Sequence, residues 1–224
     1  MRIIDLSQPI HPEIPVYPGT EPPVITPANS IARDGFAEIK IAFSSHTATH
    51  IDAPCHILSG AKSLDRFPAG HFVGPALLID ATGRAAPEIG IDLLEPYADR
   101  LAGAAFALLH TGWSRHWGQD RYFRAFPHLT PQAAAWLSRF PLRGVGIDCI
   151  SVDPVERADL PAHHALLGRG MIIIENLTNL QALRGREFIF SCLPLPIRAA
   201  DGSPVRAVAM LEDQASDATA SPTG

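Results

Sequence analysis

Histidine and aspartate side chains are concentrated in one short segment of this chain. Residues 44–58 read SSHTATHIDAPCHIL and contain four potential metal ligands or proton-transfer groups, which are His46, His50, Asp52 and His56. Imidazoles together with a carboxylate are the ligand set that proteins use for zinc, manganese or iron(II). A polar surface loop with unrelated histidines is the alternative. Four such groups within eleven residues, stiffened by a proline, favour a metal and acid–base site.

The spacing within this segment restricts its backbone. A straight strand rises about 3.3 Å per residue, so it would separate His46 from His50 by roughly 13 Å. Two donors bound to one ion at about 2.1 Å are no more than about 4 Å apart. Three β-branched residues and Pro54 oppose a long helix. We therefore predict a tight or irregular single turn that leaves a strand.

The elements that must position these groups alternate along the chain. Apolar or alternating runs predict strands at residues 3–6, 38–43, 75–80, 104–110, 144–148, 171–174 and 187–192. Helices are predicted at 130–140, where Thr130 can cap a helix that opens with Pro131, and at 161–167. Mixed elements of this kind predict a single-domain α/β fold over residues 1–211, followed by a flexible polar tail at 212–224.

Composition and charge exclude several classes of protein. The chain has 224 residues, 46% of them hydrophobic, with 18 basic and 23 acidic side chains and no basic block, which argues against nucleic-acid and anionic membrane partners. No apolar run reaches the roughly 18 residues of a membrane span, and the N-terminus lacks the apolar core of a signal peptide. Three widely spaced cysteines argue against a disulfide framework and predict a cytoplasmic protein.

The histidine segment also carries a family resemblance. Residues 46–56, HTATHIDAPCH, resemble the H-x-G-T-H-x-D-x-P-x-H signature of the cyclase family of metal-dependent hydrolases. Weaker family-like segments follow in the family's order, at 5–10, 16–19, 67–75, 111–113, 146–148, 175–177 and 202–209. The resemblance implies the swivelling β/β/α fold of that family, with a mixed central sheet and flanking helices.

The resemblance also implies roles for individual residues. It implies one or two divalent ions, Zn²⁺ or else Mn²⁺, held by His46, His50, Asp52, His163 and Glu175. The last histidine of the signature, His56, corresponds to the family's proton donor and acceptor. A later His and a Glu twelve residues after it complete the family's site, so Glu175 indicates His163, although His164 is adjacent.

Two positions depart from the family pattern. Ala48 stands where the signature has Gly, and if that position needs a positive φ, the alanine costs about 1 kcal/mol. Tyr17 and Thr20 replace the Trp and Asp of the family's W-P-G-D turn. These changes leave the ligands in place, and Tyr17 is a candidate to form an apolar wall for an aryl substrate.

Other chemical groups are interpreted as structural. Asp148 and Asp153 can each cap a turn after a strand, and a Cys55–His56 nucleophile pair is disfavoured because neighbouring side chains in an extended segment point to opposite faces. No G-x-S-x-G nucleophile elbow is present, which argues against a serine hydrolase. Surface or packing positions are expected for the remaining histidines, His11, His71, His110, His116 and His128.

These observations together predict a small-molecule hydrolase. The resemblance implies cleavage of an amide bond, either a formamide or a lactam, in a small aromatic substrate, with metal-activated water and a histidine proton shuttle. A cyclic lactam or lactone, such as isatin, or a small ester is the alternative substrate, and a metal-binding protein without turnover is the alternative class. The resemblance further implies a homodimer or homotetramer, and the β-prone segment 205–211 is a candidate subunit contact.

Overall fold

The computed structural model describes residues 1–212, so all of the predicted tail except Glu212 lies outside the described residues. The chain forms a mixed α/β fold around one large sheet. The strands are β1 (Arg2–Asp5), β2 (Val24–Asn29), β3 (Glu38–Ala42), β4 (His50–Asp52), β5 (Val73–Asp80), β6 (Glu88–Ile89), β7 (Phe106–His110), β8 (His128–Leu129), β9 (Gly144–Ile147), β10 (Ile172–Glu175), β11 (Phe188–Ser191), β12 (Gly202–Pro204) and β13 (Val208–Leu211).

The helices are few and short. They are α1 (Ile31–Asp34), α2 (Ile91–Leu94), α3 (Ala98–Leu101), α4 (Pro131–Leu137) and α5 (Pro161–Leu167). Seven 3₁₀ turns, among them Pro54–His56, connect the strands within the described residues. The 21 prolines and 17 glycines are consistent with these short elements, since both residue types interrupt regular structure. Within residues 1–212, no helix combines the length and the apolar character needed to cross a bilayer.

Nine strands form the central sheet in the order β1-β13-β11-β5-β7-β9-β10-β4-β12. The four central strands β5, β7, β9 and β10 run parallel, whereas β4 and β12 on one side and β11, β13 and β1 on the other are antiparallel additions. Both faces of the centre are buried. Ile173 of β10 belongs to one apolar core, together with α4 and α5, while Ile172 and Ile174 belong to the core on the opposite face.

All seven predicted strands and both predicted helices occur within about two residues at most ends. Thr130 caps α4 as predicted, because its Oγ1 accepts a hydrogen bond of 3.1 Å from the Ala133 N–H. The predicted end at Phe140 is wrong by three residues. Bonds from Arg139 N–H to Trp136 and from Phe140 N–H to Leu137 tighten the final turn into 3₁₀-type geometry, which ends the regular helix at Leu137.

The sequence did not predict β2, which pairs with β3 in a separate two-stranded hairpin. Ile25 pairs with Ile41 and Pro27 with Ile39, so an apolar row follows one face of the hairpin. Ile39 is 57% exposed and Ile41 is 49% exposed. The hairpin therefore offers the solvent an apolar face.

Strand β13 is paired along both of its edges. Its partners are β1 on one side and β11 on the other, so both of its edges are used inside the sheet. Strand β13 therefore has no free sheet edge to offer a second subunit, and a subunit contact by segment 205–211 stays a prediction. Exposed apolar side chains lie on the β2–β3 hairpin and also elsewhere, at Ile3, Ile189, Leu193, Leu195 and Ile197.

Candidate metal centre

The pairing of β4 with β10 places the signature beside the carboxyl end of a central parallel strand. In this antiparallel pair His50 lies opposite Glu175, and Asp52 lies opposite Ile173. The turn at 45–48 precedes β4, which agrees with the predicted irregular turn leaving a strand. Ligand sites in α/β folds commonly lie at the carboxyl ends of parallel strands.

Ala48 lies at the tip of this turn with φ at +53°, which is the left-handed region that favours glycine. Its carbonyl accepts hydrogen bonds from Asn176 Nδ2 at 2.7 Å and from His50 Nδ1 at 2.9 Å. A carbonyl only accepts, so Nδ1 of His50 carries the proton. Its Nε2 lone pair is thereby free to face the centre.

Helix α5 supplies the second buried histidine. Asp153 accepts hydrogen bonds from the backbone N–H groups of Ala162 and His163, each at 2.9 Å, and from His163 Nδ1 at 2.8 Å. The carboxylate therefore caps the helix and directs His163 Nε2 into the site. His163 is buried, whereas His164 is exposed on the outer side of α5.

Four side chains converge at the centre. His50 Nε2 lies 3.3 Å from Asp52 Oδ1 and 3.6 Å from Glu175 Oε2. His163 Nε2 lies 3.6 Å from Asp52 Oδ2 and 3.6 Å from Glu175 Oε1. Donors bound tetrahedrally to one zinc at 2.0–2.2 Å are about 3.3–3.6 Å apart. His50, Asp52 and Glu175 each offer one donor atom within 4.8 Å of the others, which suits a divalent cation, and His163 approaches the second oxygen of each carboxylate.

The hydrogen bonding of Asp52 supports the same interpretation. Its carboxylate is 1% exposed, and within residues 1–212 its Oδ2 atom is buried without a hydrogen-bond partner. A buried carboxylate oxygen without a partner carries a desolvation cost that a cation would offset. Glu175 is also buried, and its Oε1 accepts a 3.1 Å hydrogen bond from the Val152 N–H. The donor set thus suits a metal in both chemistry and geometry.

The charges of the site are strongly interdependent. Burial would raise the pKa of Asp52, but His46 and its other histidine neighbours hold it well below the usual range. Burial and the charge of Asp52 raise the pKa of Glu175 to about 7. Burial opposes the charged form of His163, yet Asp153 and Asp52 raise its pKa to about 10. In the metal-free protein this raised pKa favours protonated His163, and a cation would displace a proton from it.

A second group of donors shares Asp52 with the first. His46 Nδ1 lies 2.6 Å from Asp52 Oδ1, and His46, Asp52 and His56 each offer a ligand atom within 4.8 Å of the others. His56 lies in the 3₁₀ turn that follows Pro54, with its ring centroid 4.0 Å from that of His46. Burial lowers the pKa of His56. The arrangement allows one or two ions around a shared carboxylate.

Tyr17 lies near the acidic side of this centre. Its side chain is 38% exposed. Burial raises the pKa of its hydroxyl, and so do the charges of Glu175, Glu156 and Asp153. The Tyr17 hydroxyl therefore lies within electrostatic range of the acidic donors.

The groups interpreted as structural lie outside the four-donor centre. Asp148 accepts hydrogen bonds from Thr111 and from the Gly112 N–H. The Cys55 thiol donates to the Ala200 carbonyl at 3.7 Å, and burial raises its pKa, which does not favour a nucleophile. Within residues 1–212, neither donor group takes part in the ion pairs, hydrogen bonds or ring contacts of the remaining histidines, His11, His71, His110, His116 and His128.

The sequence did not predict the roles that two further residues have at this site. Asp153 was assigned only a capping role, but it also holds the ring of His163. Asp201 lies 3.1 Å from His46 Nε2 and 3.7 Å from His56 Nδ1. Asp201 is 155 residues away from His46 in the chain, and no local spacing links the two.

Comparison with known proteins agrees with this geometry. The family model described as "Putative cyclase" matches residues 4–154, which is more than half of the chain. A kynurenine formamidase from Bacillus cytotoxicus is 35% identical over 206 residues, covering 92% of this chain and 95% of the relative.

Solved structures show the same similarity. Isatin hydrolase A from Labrenzia aggregata, bound to benzyl benzoate, superposes with a TM-score of 0.85 at 27% identity, covering 95% of this chain and 94% of that chain. A structure described as a potential metal-dependent hydrolase with cyclase activity has a TM-score of 0.78 at 28% identity, covering 95% of this chain and 99% of that chain.

Proposed function

Because the chain belongs to the cyclase family of metal-dependent hydrolases, we propose that it hydrolyses the formamide bond of an aryl formamide, as a kynurenine formamidase does. The observation that carries the proposal is the convergence of His50, Asp52, His163 and Glu175 at separations of 3.3–3.6 Å. Relatives named for formamide hydrolysis align over almost the whole chain, so the proposal draws on the full fold as well as the signature.

In this proposal the metal is held by His46, His50, Asp52, His163 and Glu175. Zn²⁺ suits the nitrogen and carboxylate donors best, Mn²⁺ is the second choice, and sharing of Asp52 permits one or two ions. When bound, a divalent ion lowers the pKa of water and polarises a carbonyl group. The hydrogen bonds to Ala48 and Asp153 keep the Nε2 atoms of His50 and His163 directed at it.

His56 is the proposed proton shuttle. It is half-buried at the edge of the donor cluster, and its lowered pKa favours the neutral ring, which can accept a proton and then donate it. Water adds to the formyl carbon, the carbon–nitrogen bond breaks, and His56 delivers the proton to the departing nitrogen. The products are formate and a free aryl amine, and no redox partner is needed.

Tyr17 is the proposed wall for the aryl ring. The charges of Glu175 and Asp153 act on its hydroxyl and part of its surface is exposed, which supports stacking against a flat substrate. Tyr offers a smaller stacking area than the family's Trp, but it is still aromatic, so we expect the substrate to be an aryl compound. Because stacking contributes to substrate binding, Tyr17→Ala should raise KM more than it lowers kcat.

A substrate panel tests the proposed function. Purified protein loaded with Zn²⁺ or Mn²⁺ is offered N-formylkynurenine, isatin and simple aryl esters, and kcat/KM is measured for each. The formamide should be cleaved fastest, and chelation should abolish turnover. The superposition with isatin hydrolase A favours a lactam as the second candidate, so faster cleavage of isatin would replace the formamide with that substrate.

We also propose a homodimer, or a homotetramer built from dimers. The exposed row of Ile39 and Ile41 supports it, because an isolated two-stranded hairpin is at best marginally stable in water. The hairpin leads into the site, since β3 ends four residues before His46. A partner seated on this face would therefore lie close to the substrate entrance.

Two further assignments accompany this proposal. Residues 1–211 are proposed to form the hydrolase domain. A reducing, cytoplasmic location is proposed because Cys55, Cys149 and Cys192 are free thiols and two of them are buried.

A further inference from the structure

The imidazole of His46 lies against the start of β12, an edge strand within the family-like segment 202–209, to which the resemblance assigns no role in the site. Asp201 precedes this strand and Gly202 begins it. Gly202 pairs with Asp52 in the β12–β4 register, so both residues lie beside the central carboxylate. Asp201 and Gly202 together are called the His46 seat below.

Asp201 holds one nitrogen of the ring. Its Oδ2 lies 3.1 Å from His46 Nε2, while the other ring nitrogen, Nδ1, lies 2.6 Å from Asp52 Oδ1. The imidazole is therefore held between two carboxylates, one buried and one half-exposed. A histidine that binds a metal through one nitrogen commonly donates its other N–H to a carboxylate, which fixes the tautomer and the ring orientation.

Gly202 provides the space for the same ring. A Cβ atom at this position would lie 2.6 Å from His46 Cε1 and 2.8 Å from His46 Nε2. Such contacts are far inside van der Waals distance, so any side chain at this position forces the ring to move. The glycine is required here by the closeness of the imidazole and not by its φ angle, because Gly202 is outside the positive-φ set.

The seat is held in place by contacts that do not involve the Asp201 carboxylate. The Asp201 carbonyl accepts a 2.8 Å hydrogen bond from the Ala53 N–H, and the neighbouring Ala199 N–H donates to Asp65 at 3.0 Å. The Asp201 side chain is 48% exposed. Removal of its carboxylate therefore leaves the backbone anchors intact, and the stability of the fold should not depend on it.

We propose that Asp201 and Gly202 are positioning residues that orient His46 toward the metal, an inference that rests on the proposed function. Asp201 acts through its carboxylate, and Gly202 acts through its missing side chain. Asp201 also lies 3.7 Å from His56 Nδ1, so the same carboxylate faces both the ligand and the proton shuttle. Neither residue touches the central donors of α5 and β10 in the hydrogen bonds described above.

The test measures metal affinity of the metal-free protein rather than activity. Zn²⁺ dissociation constants are obtained by chelator competition, and Co²⁺ absorption reports the coordination geometry. We expect Asp201→Ala and Gly202→Ala each to weaken affinity by about 10–100-fold with unchanged stoichiometry. Asp201→Asn keeps a neutral acceptor and should recover part of the loss. Asp65 anchors the same loop without touching an imidazole, so Asp65→Asn is the control and should bind Zn²⁺ with wild-type affinity.

The outcomes separate the inference from the proposed function. Wild-type metal affinity in both Asp201→Ala and Gly202→Ala would overturn the inference that these residues position His46, and it would leave the proposed function in place. A lost metal equivalent with a changed Co²⁺ spectrum in Asp201→Asn would also overturn it, because Asp201 would then be a ligand. Unchanged urea unfolding of Asp201→Ala together with weaker binding supports positioning over a structural role. Failure of wild-type protein to bind any metal would overturn both.

Discussion

At the scale of single residues, the proposed function divides the histidines of the site between holding a cation and moving a proton. His50 is 3% exposed and presents Nε2 to Asp52 and Glu175, whereas His56 is half-exposed at the edge of the cluster. Asp52 connects the two, because it faces His46 on one side and His163 on the other. The shared carboxylate is therefore the residue on which both roles depend.

This division predicts different effects for two alanine variants. His50→Ala should lose bound metal and activity together, because it removes a buried donor. His56→Ala should keep its metal and lose about 10²–10⁴-fold in kcat, the usual contribution of a general acid–base group. Metal content by elemental analysis and kcat on an aryl formamide check this. His164→Ala, on the exposed side of α5, is the control, and equal metal loss in the first two variants would contradict the division.

Ala48 carries a separate prediction about stability. Its φ of +53° is held by two hydrogen bonds to its carbonyl, so Ala48→Gly relieves backbone strain. The free energy of unfolding should rise by about 1 kcal/mol, and metal affinity should stay unchanged. Urea denaturation measures the free energy of unfolding. Ala135→Gly, at an exposed position within α4, should instead destabilise by about 1 kcal/mol, and a loss of stability in Ala48→Gly would contradict the account.

Site residues that are close together in the chain could be predicted from the sequence, whereas those that only the fold brings together could not. His46, His50, Asp52 and His56 could be recognised because their spacing is local. Asp201 could not, because the β12–β4 pairing that brings it to His46 is a long-range contact. The second role of Asp153 also depends on where α5 begins, which a cap pattern alone does not specify.

At the scale of elements, α5 and the loop before it form one functional unit. Helix α5 begins after Leu160, whose φ of +41° turns the chain sharply, and Asp153 caps the first N–H groups across that loop. The cap and the ring of His163 therefore share one carboxylate. Positioning of the proposed ligand His163 and formation of α5 therefore depend on the same side chain.

This coupling predicts a double effect for Asp153→Ala. The variant should lose about 1–3 kcal/mol of stability, because buried N–H groups lose their acceptor, and metal affinity should also fall. Thr130→Ala is the matched control, since it removes the cap of α4 at a cost of about 1 kcal/mol and touches no ligand. Equal metal affinity in the two variants would show that Asp153 acts only as a cap.

The central strands were predictable because parallel strands buried on both faces form continuous apolar runs, as in Ile172–Glu175. Strand β2 was not predicted, because VITPAN contains Pro27 and most of its side chains are exposed. Its pairing with β3 is decided by the hairpin as a whole. The order of the nine strands is likewise a property of tertiary contacts and is not encoded in local periodicity.

At the scale of the whole molecule, the exposed face of the β2–β3 hairpin is one apolar surface that the described residues leave uncovered. If two copies meet there, Ile39→Glu should shift the protein to monomers, because a charge would be buried in an apolar contact. Light scattering coupled to size exclusion measures the mass. Lys40→Glu, on the other face of the same strand, is the control, and an unchanged oligomer in Ile39→Glu would remove the hairpin from the interface.

The central claim is that a divalent ion at the donors of β4, α5 and β10 is required for hydrolysis. The most direct test is elemental analysis of the purified protein, combined with its rate on N-formylkynurenine before and after chelation. The account predicts one or two equivalents of zinc or manganese per chain, loss of turnover on chelation, and recovery when the ion is returned. Full turnover by protein free of divalent metal would contradict it.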